Sequence, residues 1–234
     1  MGTPSSDATR HVLATRPQGG QGSPVQRGML AVRQGDRLVP SAKPDAETAD
    51  AYLRMAAHIL LKHQRSGCRT FGVISSRDGE GKTTAAVNLA VCLGRTRGRA
   101  GRVLLVDGDI RERGLSTLLG GSSATTGKHP MLVGTAFEGV DLMTAPATTD
   151  VLTLYDPAAW ARTLHDLSQR YAQILVDIPA VLDHPEGLVL RECVEELILV
   201  VRGESTLRAD VESALGSVGR RVLGVILSGR LAGS

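Results

Sequence analysis

The stretch Ile74-Ser75-Ser76-Arg77-Asp78-Gly79-Glu80-Gly81-Lys82-Thr83-Thr84 constrains the fold more than any other part of the 234-residue chain. It lies between an apolar run, Phe71 to Ile74, and a helical pattern opening near Lys82, the strand–loop–helix setting of a phosphate-cradling loop. Gly79 and Gly81 let the backbone take left-handed angles, so consecutive N–H groups can point inward at phosphate oxygens. A helix beginning at Lys82 adds its positive dipole end at the same point. The Lys82 ammonium can reach β- and γ-phosphates, and the Thr83 hydroxyl is placed to hold Mg²⁺. Ser76 takes the place of the first glycine in the G-x-x-x-x-G-K-[ST] pattern, so the loop is a variant that needs support from elsewhere.

That support comes from two buried-strand runs. Val103-Leu104-Leu105-Val106-Asp107-Gly108-Asp109 ends in two carboxylates one residue apart, and Tyr171 to Pro179 contains Ile174-Leu175-Val176-Asp177. Both are continuous and rich in Val, Ile and Leu, as strands covered on two faces should be. Ligands of parallel sheets sit off the carboxyl ends of the strands, so Asp107, Asp109 and Asp177 are expected to converge on the loop. Three carboxylates would repel a triphosphate unless Mg²⁺ lay between them. A single Asp at a strand end is ordinarily a turn or a helix cap; three of them behind such a loop outweigh that reading.

The remaining sequence divides into an arm and a domain. Residues 1–44 carry five prolines among many Gly, Ser, Gln and Arg and read as a flexible N-terminal arm, with Met29 to Val39 as a candidate edge strand. Residues 45–234 read as one domain. Tyr52, Met55, Ile59 and Leu60 recur at helical spacing over Ala46 to His63. Strands are predicted at 70–75, 103–107, 140–144, 172–177, 196–201 and 222–227. Helices are predicted at 82–95, 112–119, 157–170, 185–194 and 206–217, and Gly120 to Gly127 reads as a mobile connection. This alternation predicts an α/β fold, a mostly parallel sheet flanked by helices on both faces, of the P-loop NTPase type. No apolar run is long enough to span a bilayer. The start of the chain lacks a secretory signal, and Cys68, Cys92 and Cys193 are dispersed, which points to a reducing, cytoplasmic setting and away from zinc. The net charge is +3. Its basic cluster, Arg95, Arg97, Arg99 and Arg102, has no interleaved aromatics and reads as a solvated helix end rather than a nucleic-acid surface.

The "GEGKTT" loop, the "VLLVDGDIR" strand and the "ILVDIPA" strand together resemble the deviant Walker-type P-loop ATPases, over about residues 48–228. Within that group the chain is most similar to the bacterial tyrosine kinases of capsule and exopolysaccharide assembly. Those show a loop ending Pro-Gly-Glu-Gly-Lys-Ser/Thr, a strand ending Asp-x-Asp-hydrophobic-Arg, and then Asp-Thr-Pro-Pro. Septum-positioning and plasmid-partition ATPases are more distant relatives. The resemblance implies ATP and Mg²⁺ as cofactors. It implies phosphate binding by Asp78, Gly79, Glu80, Gly81, Lys82, Thr83 and Thr84, with Lys82 neutralising charge at the β/γ bridge. It implies Mg²⁺ held by Thr83, Asp109 and Asp177, with Asp107 orienting or deprotonating the attacking oxygen. Arg111 and Arg113 are candidates for phosphate or neighbouring-subunit contact. Arg77 stands where partition relatives have a lysine that reaches across a dimer.

Departures shape the expected function. Kinase relatives end in a tyrosine cluster, whereas here Tyr52, Tyr155 and Tyr171 are the only tyrosines and none lies in a tail. The family's Glu-x-x-Arg-x-x-Arg helix pattern falls on Asp50, Leu53 and Ala56. Ser228 stands where relatives place an asparagine near adenine, and Ala180 replaces the second proline after Asp177. The reading placed first is an ATP-hydrolysing regulator of polysaccharide polymerisation and export, without tail autophosphorylation. Its expected partner is a membrane chain-length regulator, which would place it peripherally at the inner membrane, and it is a candidate homo-oligomer. The alternatives are a partition or septum-positioning ATPase that dimerises on ATP, and a non-catalytic nucleotide sensor.

Overall fold

The computed structural model describes residues 46–97, 101–119, 130–145, 155–219 and 221–229. The expected arm, the Met29–Val39 patch and the Gly120–Gly127 connection lie outside them. The elements in order are α1 (Ala46–Ser66), β1 (Thr70–Ser75), α2 (Lys82–Arg97), β2 (Val103–Asp107), α3 (Gly114–Leu119), β3 (Leu132–Gly134) and β4 (Val140–Met143). Then come α4 (Pro157–Ser168), β5 (Gln173–Asp177), α5 (Pro185–Leu190), β6 (Glu196–Arg202), α6 (Arg208–Val218) and β7 (Val222–Ser228). The strands form one seven-stranded sheet in the order β3-β4-β2-β5-β1-β6-β7. Every neighbouring pair is parallel except β3 with β4.

The continuous apolar runs are buried from end to end in β1, β2 and β5, as expected for strands sandwiched between helix layers. Side chains alternate between two cores. Phe71, Val73, Leu105, Leu175, Ile198 and Val200 pack under α1, α2 and α3. Ile74, Leu104, Ile174, Val176, Leu197 and Leu199 pack against residues of α4, α5 and α6, among them Leu164, Leu190 and Ala214. Each such side chain removed from water contributes about 1.5–3 kcal/mol, so the central strands are anchored on both faces. Their carboxyl ends, side by side as β2, β5 and β1, become a fixed platform.

Three differences from the sequence expectation have local causes. The helix expected over 112–119 starts only at Gly114. Asp109 Oδ1 accepts the N–H groups of Arg111 (3.2 Å) and Glu112 (3.0 Å), closing a turn. Arg113 then takes a positive φ of 51°, outside the helical region. The helix expected over 185–194 becomes α-helical only to Leu190 and finishes as a 3-10 turn, Arg191–Cys193. The antiparallel edge strand β3 escaped prediction because it is three residues long and only partly buried. By contrast α4 opens as expected, with the Asp156 side chain accepting from Ala158 N–H and Pro157 in the first turn. No helix of the described residues is long and apolar enough to cross a membrane.

Candidate functional site

The loop between β1 and α2 carries Gly79 at φ 77° and Gly81 at φ 97°, the left-handed angles its sequence requires. Helix α2 begins at Lys82, so the dipole and the loop N–H groups share one focus. The Lys82 side chain is 8 % exposed and its Nζ lies 3.4 Å from Asp78 Oδ1. Thr83 and Thr84 are half-buried on the first turn, and the Thr83 hydroxyl donates to Asp177 Oδ2 at 2.6 Å. The side chain of Glu80 does not face the cradle. It is buried, with Oε2 accepting the Ser76 N–H (3.0 Å) and Oε1 the Thr206 hydroxyl (2.7 Å), so that the loop is braced from inside. Two further braces come from distant chain: Arg202 donates to Gly79 O at 2.9 Å, and the Ser228 hydroxyl to Glu80 O at 2.6 Å.

Asp107 and Asp177 are paired residues at the ends of β2 and β5, and both are about 1 % exposed. One oxygen of each is committed: Asp107 Oδ2 accepts the Ser116 N–H (2.6 Å), and Asp177 Oδ2 accepts from Thr83. The other oxygen of each, Oδ1, is buried without a hydrogen-bond partner. Burial above all, and then the charges of Asp107 and Asp109, push Asp177 up to about 7 against the pull of Thr83 and Lys82. Burial likewise raises Asp107 to about 6, with the Ser116 contacts opposing it and Asp109 adding to it. Two buried acids with orphaned oxygens beside a threonine hydroxyl suit a hard divalent cation, whose remaining positions phosphate oxygens and water would fill. Among the described residues no group of three or more His, Cys, Asp or Glu side chains is placed to hold a metal ion. Asp109 is buried next to this pair, but its Oδ1 is spent on the turn at Arg111 and Glu112.

Several residues that hold this geometry carried no motif signal. Tyr155 donates to Gly108 O at 2.9 Å and so supports the backbone between Asp107 and Asp109. Gly108 donates its N–H to Asp177 O at 3.0 Å, and a Cβ there would sit 2.6 Å from that oxygen. Arg111 pairs with the buried Glu186, its Nε 2.9 Å from Oε1, rather than standing free. Arg113 donates to Ala145 O at 3.0 Å. Arg77 is committed within its own chain, to Asp183 (2.7 Å) and Asp210 (2.9 Å). The His184 ring nitrogen Nε2 lies 2.5 Å from Asp78 Oδ2, and only the appearance of an acid at position 78 could have hinted at it. In the basic cluster, Arg102 pairs with Asp141 and Arg95 is exposed, while the side chains of Arg97 and Arg99 lie outside the described set.

No protein-family model matches the chain. Among curated proteins it is similar to the putative tyrosine-protein kinase CapB of Staphylococcus aureus, 24 % identical over 203 residues, covering 80 % of this chain and 86 % of that one. It is similar also to the tyrosine-protein kinase CpsD of Streptococcus pneumoniae, 29 % identical over 182 residues, covering 68 % and 75 %. Among solved structures the VpsO kinase domain superposes with a TM-score of 0.67 at 28 % identity, covering 79 % of this chain and 96 % of that domain. The septum site-determining protein MinD of Pyrococcus horikoshii, solved with Mg-ADP, superposes at 0.56 with 28 % identity, covering 68 % and 69 %. Strand order, loop and carboxylate pair fit the P-loop NTPase α/β fold, and bacterial tyrosine kinases are among the homologues of the chain.

Proposed function

We propose that this chain binds ATP with Mg²⁺ at the β1–α2 loop and cleaves its terminal phosphoanhydride, within a system that assembles surface polysaccharide. The observation that carries the reading is the in-register pair Asp107 and Asp177, each with one buried unpartnered oxygen, beside a threonine of the loop that is bonded to Asp177. Loop N–H groups from Gly79 to Thr84 would cradle the phosphates, that of Asp78 being given to Asp183 Oδ2 at 2.9 Å, and Lys82 would neutralise the β/γ bridge as charge builds on it. Mg²⁺, held by the Thr83 hydroxyl and Asp177 with Asp109 acting on its water shell, would supply charge neutralisation at the transferring phosphoryl group. Asp107, raised to about 6, is mostly ionised at neutral pH and can still accept a proton. It would orient the attacking oxygen and take its proton as the bond to the leaving ADP oxygen breaks.

All three tyrosines of the chain are buried, at 7 %, 8 % and 7 % exposure for Tyr52, Tyr155 and Tyr171, and burial raises each phenol above its usual range. None could enter an active site without local unfolding. A membrane chain-length regulator is the partner that the resemblance to the polysaccharide kinases suggests. Lys82→Met, which keeps the volume and removes the charge, tests the core of the reading by calorimetric titration with Mg²⁺-ATP. Loss of binding is expected, and affinity equal to that of the unaltered chain would overturn it.

A further inference from the structure

Strand β7 closes one side of the sheet, and among the described residues no strand pairs with its outer edge. Its sequence, Val222-Leu223-Gly224-Val225-Ile226-Leu227-Ser228, contains none of the lysines or prolines that commonly guard such an edge. Val225 and Leu227 are 48 % and 59 % exposed, although they stand beside Leu199 and Val201, which are buried in the core under α4, α5 and α6. On the same side of the sheet, Leu215 of α6 and Leu207 at its start are exposed as well. An unpaired apolar edge of this kind offers a row of backbone donors and acceptors to one further strand.

We infer that Met29–Val32 of the same chain is that strand, laid along β7 and parallel to it. Helix α1, which follows the arm, already covers β7: a Cβ at Gly224 would meet Met55 Cε at 2.6 Å, and Tyr52, Met55 and Ile59 share a core with Ile226. The helix runs towards the amino end of the strands, since Lys62 near its finish pairs with Glu196 at the start of β6. The arm therefore joins α1 towards the carboxyl end of β7. A strand beyond β7 would pass through α1 to β1, moving along the sheet as β1 does through α2 to β2, with α1 and α2 on one face. The step from β6 through α6 to β7 reverses both face and direction, so all three crossovers share one hand, as parallel crossovers do in nearly all proteins. Within residues 1–45, Met29-Leu30-Ala31-Val32 is the longest apolar run, and it falls in the longest stretch without proline, between Pro24 and Pro40. Proline cannot donate to a ladder, so this is where the arm can pair. Alternate residues of the run would cover Val225 and Leu227 on one face and meet the α1 layer on the other. Residues 33–45 extend to about 43 Å, against about 23 Å for the seven residues of β7, so the return to Ala46 is within reach. This placement stands apart from nucleotide binding.

The test is native-state hydrogen exchange of the full chain, read by mass spectrometry, with circular dichroism to verify folding. Relative to their intrinsic rates, amides of Met29–Val32 should exchange about tenfold or more slowly than those of the polar stretch 18–23 in the same arm. Leu30→Pro removes a ladder donor; it should abolish that protection and speed exchange in 222–228. The double variant Val225→Lys with Leu227→Lys should release Met29–Val32 in the same way. Should the double variant fail to fold, Leu30→Pro decides the matter, because it leaves residues 46–229 unaltered. Equal exchange in the two arm stretches overturns the inference. So does protection that survives the variants, or a Leu30→Pro chain whose 222–228 segment exchanges at the unaltered rate. Protection lost on about hundredfold dilution assigns the edge to a second copy and overturns it likewise.

Discussion

Replacing Asp177 with asparagine should stabilise the empty protein while abolishing its response to Mg²⁺-ATP. The carboxyl is fully enclosed, and it is raised from an ordinary 3.8 to about 7. For a carboxylate raised on folding, the sign is fixed: the folded chain binds more protons than the unfolded one, so stability is lost as pH rises towards 7. At pH 8 both states are ionised and the penalty reaches its full size, on the order of 4 kcal/mol. At pH 5 the folded carboxyl is protonated and less than about 2 kcal/mol remains. Asparagine keeps an acceptor for the Thr83 hydroxyl but loses its charge assistance, which costs about 1 kcal/mol. The net gain is therefore about 3 kcal/mol at pH 8, roughly 6–12 °C in Tm for a chain of this size, and about half of that at pH 5, where the folded carboxyl is protonated and no charge assistance is lost. Thermal melts of the two proteins at pH 5 and pH 8, with and without Mg²⁺-ATP, read out both the gain and the lost response. An asparagine variant no more stable than the unaltered chain at pH 8, or one that gains equally at both pH values, would refute the claim that unrelieved buried charge is held at this position.

Gly108→Ala should place a methyl 2.6 Å from the Asp177 carbonyl oxygen and 2.9 Å from Leu190 Cδ1. Overpacking of this kind costs about 1–3 kcal/mol, and because the obstacle is backbone, the β2 and β5 ends must shift apart. Weakened Mg²⁺-ATP binding with retained circular dichroism is expected; unaltered affinity would show that the register of the two acids is not critical. Arg111→Ala leaves the buried Glu186 without its ion pair. Stranding a buried charge destabilises, though less so where the lost partner is half exposed as Arg111 is, so a lowered midpoint in a urea melt at pH 8 is expected. An unaltered midpoint would show that the guanidinium is not what makes the buried carboxylate tolerable. Tyr155→Phe removes the bond to Gly108 O and should cost about 1 kcal/mol by the same assay, with no change indicating that water replaces the phenol.

Much of the sheet could be read from the chain because β1, β2 and β5 are buried on both faces and so appear as unbroken apolar runs. The loop and the acids of β2 and β5 were legible for a related reason: a phosphate cradle demands glycines and a lysine at fixed spacing, and strand ends deliver acids to one edge. What stayed hidden depends on tertiary proximity. His184 and Asp183 reach the loop only because β5 lies beside β1, and Thr206 meets Glu80 because β6 does. Glu80 itself looked like a phosphate-facing residue, yet its side chain turns inward to hold Ser76. Asp109 shows a local turn claiming one of the two oxygens of an acid at a strand end, which spacing alone does not reveal.

The internal bracing of the loop also bears on when the cradle can take its final form. Glu80 is tied to Thr206, Gly79 to Arg202, and Glu80 again to Ser228 at the end of the last strand. Those anchors are synthesised more than a hundred residues after the two loop residues they secure. A nascent chain could assemble β1, β2 and β5 on the ribosome and still carry a slack, low-affinity cradle. Nucleotide capture would thus report completion of the entire sheet, and trapping ATP would mark a polypeptide that has finished folding.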